Sequence, residues 1–229
     1  GVDAKFPEAS RVNDISYGSN RALLAWYTVD GIFTRKNSSS RPRHLTPDDL
    51  SKHETRGVGY KEIYPNKELG TNDNTTLSVL NLAFYPNQRG PYNLDAERIN
   101  PDGSLSEPEK RWGGIMRKIE PSDLESANYE YIEFWLMDPY LDKPAAEGGD
   151  LYFNLGELSE DILKDEKKFF ENGLPVDGDM SKVDTTIWGK VPRIQSTGYA
   201  FDANNRKLQD VGLNGLSTDE ELSFPTYVE

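Results

Sequence analysis

The sequence predicts a mainly β domain, a β-sandwich with a few short helices in its connections. Three observations predict it. Runs of aromatic and β-branched residues with strand-like alternation recur along the chain, the clearest at residues 129–137 (Tyr-Glu-Tyr-Ile-Glu-Phe-Trp-Leu-Met). Fourteen Pro and 19 Gly imply long, turn-rich connections. Aromatics at 11% imply a packed core, because disordered chains are aromatic-poor.

Residues 1–20 are polar and read as an N-terminal arm. The body of the sandwich is expected over 21–205, and 206–229 as an acidic exit segment. Within the body, residues 21–34 hold a short apolar element in which Trp26, Tyr27, Thr28 and Val29 favour strand. Residues 35–45 are a basic, Ser-rich loop. Thr46-Pro47-Asp48-Asp49 then opens a short helix near 47–53, with Thr46 as cap, Pro47 at the first helical position and Asp49 closing a capping box.

Residues 75–85 read as a strand with Leu80, Leu82 and Phe84 on one face, ended by Pro86, Gly90 and Pro91. A polar loop follows to residue 110, with Asn100-Pro101-Asp102-Gly103 as a turn. Strands are expected at 112–119, 129–137 and 151–155, the last two as an antiparallel pair. Ile132, Phe134 and Leu136 share one face of the second; Tyr131, Glu133 and Trp135 share the other.

Ser159-Glu160-Asp161 opens a helix expected to reach residue 172, closed by Gly173 and Pro175. An acidic loop at 174–185 precedes a strand over 187–194 around Trp188, and another is expected at 199–201. The coupling of a Tyr-Ile-Glu-Phe-Trp-Leu strand to Gly-Gly-Asp-Leu-Tyr-Phe-Asn-Leu-Gly is similar to jelly-roll sandwiches of the galactose-binding type. That is a fold analogy and implies no ligand.

Composition excludes several function classes. The formal net charge of -13 makes nucleic acid and anionic membrane surfaces poor partners. It serves solubility, or cation binding. No cysteine is present, which removes thiol catalysis, disulfides and Cys-ligated zinc. No apolar run approaches the ~20 residues of a membrane helix, and no signal peptide is visible. The chain opens at Gly1 without Met and closes at Glu229, which reads as a segment of a longer protein.

The best metal motif is Asp210-Val-Gly-Leu-Asn214-Gly-Leu-Ser-Thr-Asp-Glu-Glu221. Asp210, Asn214 and Glu221 stand at the first, fifth and twelfth positions of an EF-hand-type calcium loop, and Gly215 at the sixth, where the sharp turn needs glycine. Gly212 occupies the third position, where an oxygen ligand belongs. The other reading is an acidic turn that leads into a strand or out of the domain.

His44 and His53 are nine apart, not the i, i+4 spacing of a helical zinc pair. No Gly-x-Ser-x-Gly elbow exists for a serine nucleophile. Glu130 and Glu133 fall on opposite faces of their strand and cannot converge as a glycosidase pair. No catalytic residue and no cofactor are expected; calcium is the one ion with a motif. Trp26, Trp112, Trp135 and Trp188 could stack sugars in a cell-surface carbohydrate-binding module, or fill a sandwich core. The basic loop at 35–45 is a solvated loop or a dock for an acidic partner segment.

Several phrases, in order, resemble one family. They are Asn20-Arg-Ala-Leu-Leu-Ala-Trp-Tyr-Thr-Val-Asp30, Ile63-Tyr-Pro-Asn-Lys67, Leu82-Ala-Phe-Tyr-Pro-Asn-Gln-Arg-Gly-Pro-Tyr-Asn93 and Arg111-Trp-Gly-Gly-Ile-Met-Arg-Lys-Ile119. They continue as Gly149-Asp-Leu-Tyr-Phe-Asn-Leu-Gly156, Ser159-Glu-Asp-Ile-Leu-Lys-Asp165, Phe170-Glu-Asn-Gly-Leu-Pro175 and Gln209-Asp-Val-Gly-Leu-Asn-Gly-Leu216. Collinear over roughly residues 20–225, the set resembles the SprA/Sov family, the giant outer-membrane translocons of type 9 secretion and gliding motility.

That resemblance implies a noncatalytic soluble domain that shapes or caps the conduit. Its partners would be the rest of the parent translocon, secreted cargo and accessory outer-membrane subunits. Its place would be at the outer membrane, on the cell-surface or periplasmic face. The missing membrane-type alternation fits an insert better than barrel wall.

Overall fold

The computed structural model describes residues 10–30, 33, 39–119, 125–126, 128–141, 143–156, 161–167, 174–194, 203–212 and 216–224. Their regular structure is mainly β with little helix. The strands are β1 (Ala22–Tyr27), β2 (Val58–Gly59), β3 (Thr76–Leu77), β4 (Asn81–Arg89), β5 (Val183–Thr186) and β6 (Gly189–Pro192). The helices are α1 (Pro47–Ser51), α2 (Tyr60–Ile63) and α3 (Thr218–Ser223), with 3-10 turns at Ile15–Gly18, Pro108–Lys110 and Met180–Lys182. The strands form three two-stranded sheets, β1 with β4, β2 with β3, and β5 with β6. The chain divides into two compact units. One comprises Gly1–Leu24, Phe84–Ile115 and Asn154–Glu229; the other comprises Ala25–Ala83 and Met116–Phe153.

The first unit holds the core. Tyr92, Leu163 and Trp188 are buried together with Tyr17 against them, and the Tyr92 and Trp188 rings meet edge-on at 6.2 Å. Trp188 was expected inside a strand over 187–194. It sits instead in the tight turn of the β5–β6 hairpin, where Thr186 pairs with Gly189. Gly189 takes φ 106°, which a side chain would oppose, and the Thr186 hydroxyl accepts the Trp188 N–H at 3.0 Å. The turn therefore aims the indole into the core, 1% exposed.

The helix at 47–53 is present as α1 with its capping box complete. The Thr46 hydroxyl accepts the Asp49 N–H at 3.2 Å, and Asp49 accepts the Thr46 N–H at 2.9 Å. The strand expected at 75–85 is split into β3 and β4. Pro86 does not end β4, which runs on to Arg89; in a two-stranded sheet each strand has a free edge, where a missing N–H costs nothing. The Asn100–Gly103 turn closes as expected, with the Gly103 N–H on the Asn100 carbonyl at 2.9 Å.

Three expected strands are not strands here. Residues 112–119, 129–137 and 151–155 carry no ladder; Trp112 makes only an isolated bridge to Arg21. A strand exists by hydrogen bonding to a neighbour, and no neighbour is in place. The described part of the expected helix, residues 161–167, is a bend. The Asp161 carboxylate takes the N–H groups of Asp165 (3.2 Å) and Glu166 (2.9 Å), and Lys164 and Glu166 adopt φ 54° and 65°. An Asp side chain that captures nearby amides competes with a helix for them. The expected strand at 199–201 and the rest of that helix lie outside the described residues.

Candidate functional site

Two features of the described residues could carry function: a buried polar node in the first unit and an exposed apolar surface in the second. The node is built on Arg111, whose side chain is fully covered (0% exposed). Its Nη1 donates to the Ser19 carbonyl at 2.6 Å, and Nε and Nη2 donate to the Ser106 carbonyl at 2.9 and 2.7 Å. Asp95 lies 3.6 Å away and also receives Arg98 Nε at 2.9 Å.

Burial works to raise the Asp95 pKa, but the Glu97 amide and Arg98 outweigh it and hold the carboxyl below its ordinary range. Arg98 reaches on to Asn20 Oδ1 at 2.7 Å, and Asn93 donates to the Arg21 carbonyl at 2.7 Å. The Arg21 guanidinium lies over the rings of Tyr17 and Trp112, at 5.5 and 5.2 Å. Around it the backbones close in; a Cβ on Gly18 would stand 2.2 Å from the Tyr92 carbonyl oxygen. Arg98 and Arg111 share the one carboxylate of Asp95, and Arg21 is held by the Pro91 carbonyl at 3.1 Å and by the two rings. The node fastens residues 17–22, 89–98 and 105–112 together.

The second unit presents the opposite. In the run 129–137, Tyr131 (80% exposed), Ile132, Phe134, Trp135 (71%) and Leu136 all lie open, from both strand faces of the sequence pattern. Leu141, Leu151, Tyr152 and Phe153 are also exposed. Two aromatic contacts link them: Phe134 meets Phe153 at 5.0 Å, and Trp135 meets the edge of Tyr64 at 6.4 Å. Among the described residues, no backbone group of 129–137 has a hydrogen-bond partner, and Glu130 and Glu133 have no charge partner. Charge is one-sided here in sequence too. Between Lys118 and Lys143 stand Glu120, Asp123, Glu125, Glu130, Glu133, Asp138 and Asp142, with no Lys or Arg.

The candidate calcium residues are placed as follows. Asp210 accepts the Thr218 N–H at 3.0 Å and the Thr218 hydroxyl at 2.9 Å, so its carboxylate caps the turn into α3. Glu221 lies on α3, with its N–H on the Ser217 carbonyl at 2.8 Å. Asn214 lies outside the described residues. Among those residues no group of three or more His, Asp or Glu side chains converges on a metal-sized site. The acidic turn leads into a helix, not a strand.

Of the four Trp, Trp188 is core, Trp112 is half-buried under Arg21, and Trp26 (65% exposed) and Trp135 are open. Of the basic loop, Arg43 and His44 are exposed and 35–38 lie outside the described residues.

Sequence reading missed the Arg111–Asp95 pair, which nothing local announces. It also missed a second capping box. Glu220 accepts the Ser217 N–H and hydroxyl, both at 2.8 Å, and Lys190 Nζ at 2.6 Å. The Ser-x-x-Glu spacing at 217–220 was a readable signal for it. No helix among the described residues is long and apolar enough to cross a membrane. No protein-family model matches this chain, and no curated protein matches it.

Proposed function

We propose that this chain is a noncatalytic domain of an outer-membrane protein-secretion translocon of the type 9 kind, a sandwich-like β body that shapes or caps the conduit and contacts cargo or accessory subunits. One observation carries this reading beyond the family resemblance. The run 129–137 leaves its strand-forming side chains largely exposed and, among the described residues, its backbone amides and two carboxylates without partners, as expected of a domain completed by a larger assembly. The inward-turned polar node supports a noncatalytic role, since its charges are spent on holding loops.

The test is an immunoblot of fractionated native cells with an antibody raised against this chain. The expected result is an outer-membrane band many times larger than 25.9 kDa. A band near that mass in the aqueous fraction would sink the reading.

A second reading, a cell-surface carbohydrate-binding module, is favoured by the open rings of Trp26 and Trp135. A glycan array on which binding disappears with W135A would promote it; silence across the glycans would remove it.

A further inference from the structure

We infer that residues 129–137 form a docking edge for a β-strand supplied in trans, and that the captured segment is extended, apolar at alternate positions and basic. Three deficits in the same nine residues point to one remedy. Their backbone N–H and C=O groups have no hydrogen-bond partner among the described residues. An added strand satisfies them through a ladder of main-chain bonds, the chemistry of β-augmentation.

Their side chains are apolar on both faces of the strand pattern, with Ile132, Phe134 and Leu136 on one and Tyr131 and Trp135 on the other, all exposed. A strand apolar on both sides is one that is buried on both sides. A neighbour with alternating apolar side chains extends that cover.

The charge of the captured strand follows from Glu130 and Glu133, one on each face and neither paired, within a stretch of 24 residues (119–142) that has acids and no Lys or Arg. A strand with lysine or arginine at alternate positions carries them on one face and gives a cross-strand opposite-charge pair with Glu130 or with Glu133; an acidic strand gives repulsion at the same place. The net charge of -13 disfavours a second copy as the occupant. Strand capture does not depend on the translocon reading, because a purified chain displays the edge whichever assembly supplies the strand.

The test uses the whole 229-residue chain and a fluorescent synthetic peptide of alternating valine and lysine, as long as the 129–137 run. Anisotropy is expected to report binding. N-methylation of every second peptide residue removes the main-chain donors on one edge and is expected to weaken binding by about tenfold or more. The charge reversal E130K/E133K is expected to weaken it similarly, with the chain's thermal unfolding unchanged because both carboxylates are exposed and unpaired.

Equal binding of the N-methylated peptide would reduce the effect to charge adhesion and overturn strand addition. Equal binding of a valine–glutamate peptide would overturn the basic preference. No binding at all, or self-association of the chain that the peptide does not displace, would assign the edge elsewhere and overturn the inference.

Discussion

At the scale of single residues, Arg111 is the clearest determinant of stability. It is covered completely and donates to carbonyls of Ser19 and Ser106 from segments far apart in sequence, while facing Asp95. A buried pair of this kind adds little when compared with an apolar substitute, but removing one partner leaves the other buried and uncompensated. Arg111→Met is therefore expected to lower the unfolding free energy by about 3–5 kcal/mol, read from urea denaturation with the slope unchanged. A shift under about 1 kcal/mol would show that water replaces the arginine and that the node is not a fastening. None of this was legible in sequence. Arg111 stands just ahead of the strand expected at 112–119, and its partners lie 16 and 92 residues away by their numbers, Asp95 and Ser19. A single sequence shows which residues can ionise, not which will be enclosed.

At the scale of elements, local signals were read well where they are self-contained. Thr46, Pro47 and Asp49 define α1 because cap and helix lie within four residues. The same logic governs α3, where Lys190 and the Ser217 groups hold the Glu220 carboxyl down to about 2 from its ordinary 4.5. A carboxyl with a lowered folded pKa contributes stability above its unfolded value and loses it as pH falls through the folded one. The cap of α3 is thus expected to be intact above pH 4.5 and to open as pH falls toward 2. Amide exchange of residues 217–221 followed by NMR against pH checks this. Glu220→Gln keeps a hydrogen-bonding cap but should abolish the pH dependence in that window; an unchanged profile would show that another group governs it.

Strands were read less well, for a physical reason. Runs 112–119, 129–137 and 151–155 have strand composition, but β structure is made between segments, and composition does not say whether the second segment is present. Trp188 shows the converse: its hydrophobicity was legible, while its place in a turn depended on Gly189 at positive φ.

At the scale of the whole molecule, the exposed side chains of Tyr131, Ile132, Phe134, Trp135 and Leu136 contribute little burial to the stability of the isolated chain. Replacing Tyr131, Trp135 and Leu136 together with Ser is expected to lower the binding of a hydrophobic dye such as ANS measurably. The urea midpoint should change little, by less than about 1 kcal/mol in free energy. A large loss of stability would instead show that these side chains are packed in solution.

The sequence by itself determined the β-rich class, the absence of thiol chemistry, the capped α1 and the acidic, aromatic character of residues 119–142, because composition and short-range spacing are properties of the chain alone. Only the tertiary structure decided that Arg111 and Asp95 are enclosed together, that Asp210 caps a turn through Thr218, and that Trp188 is core while Trp135 is surface. Burial and pairing depend on what else comes near, and that is fixed by contacts between residues distant in the chain.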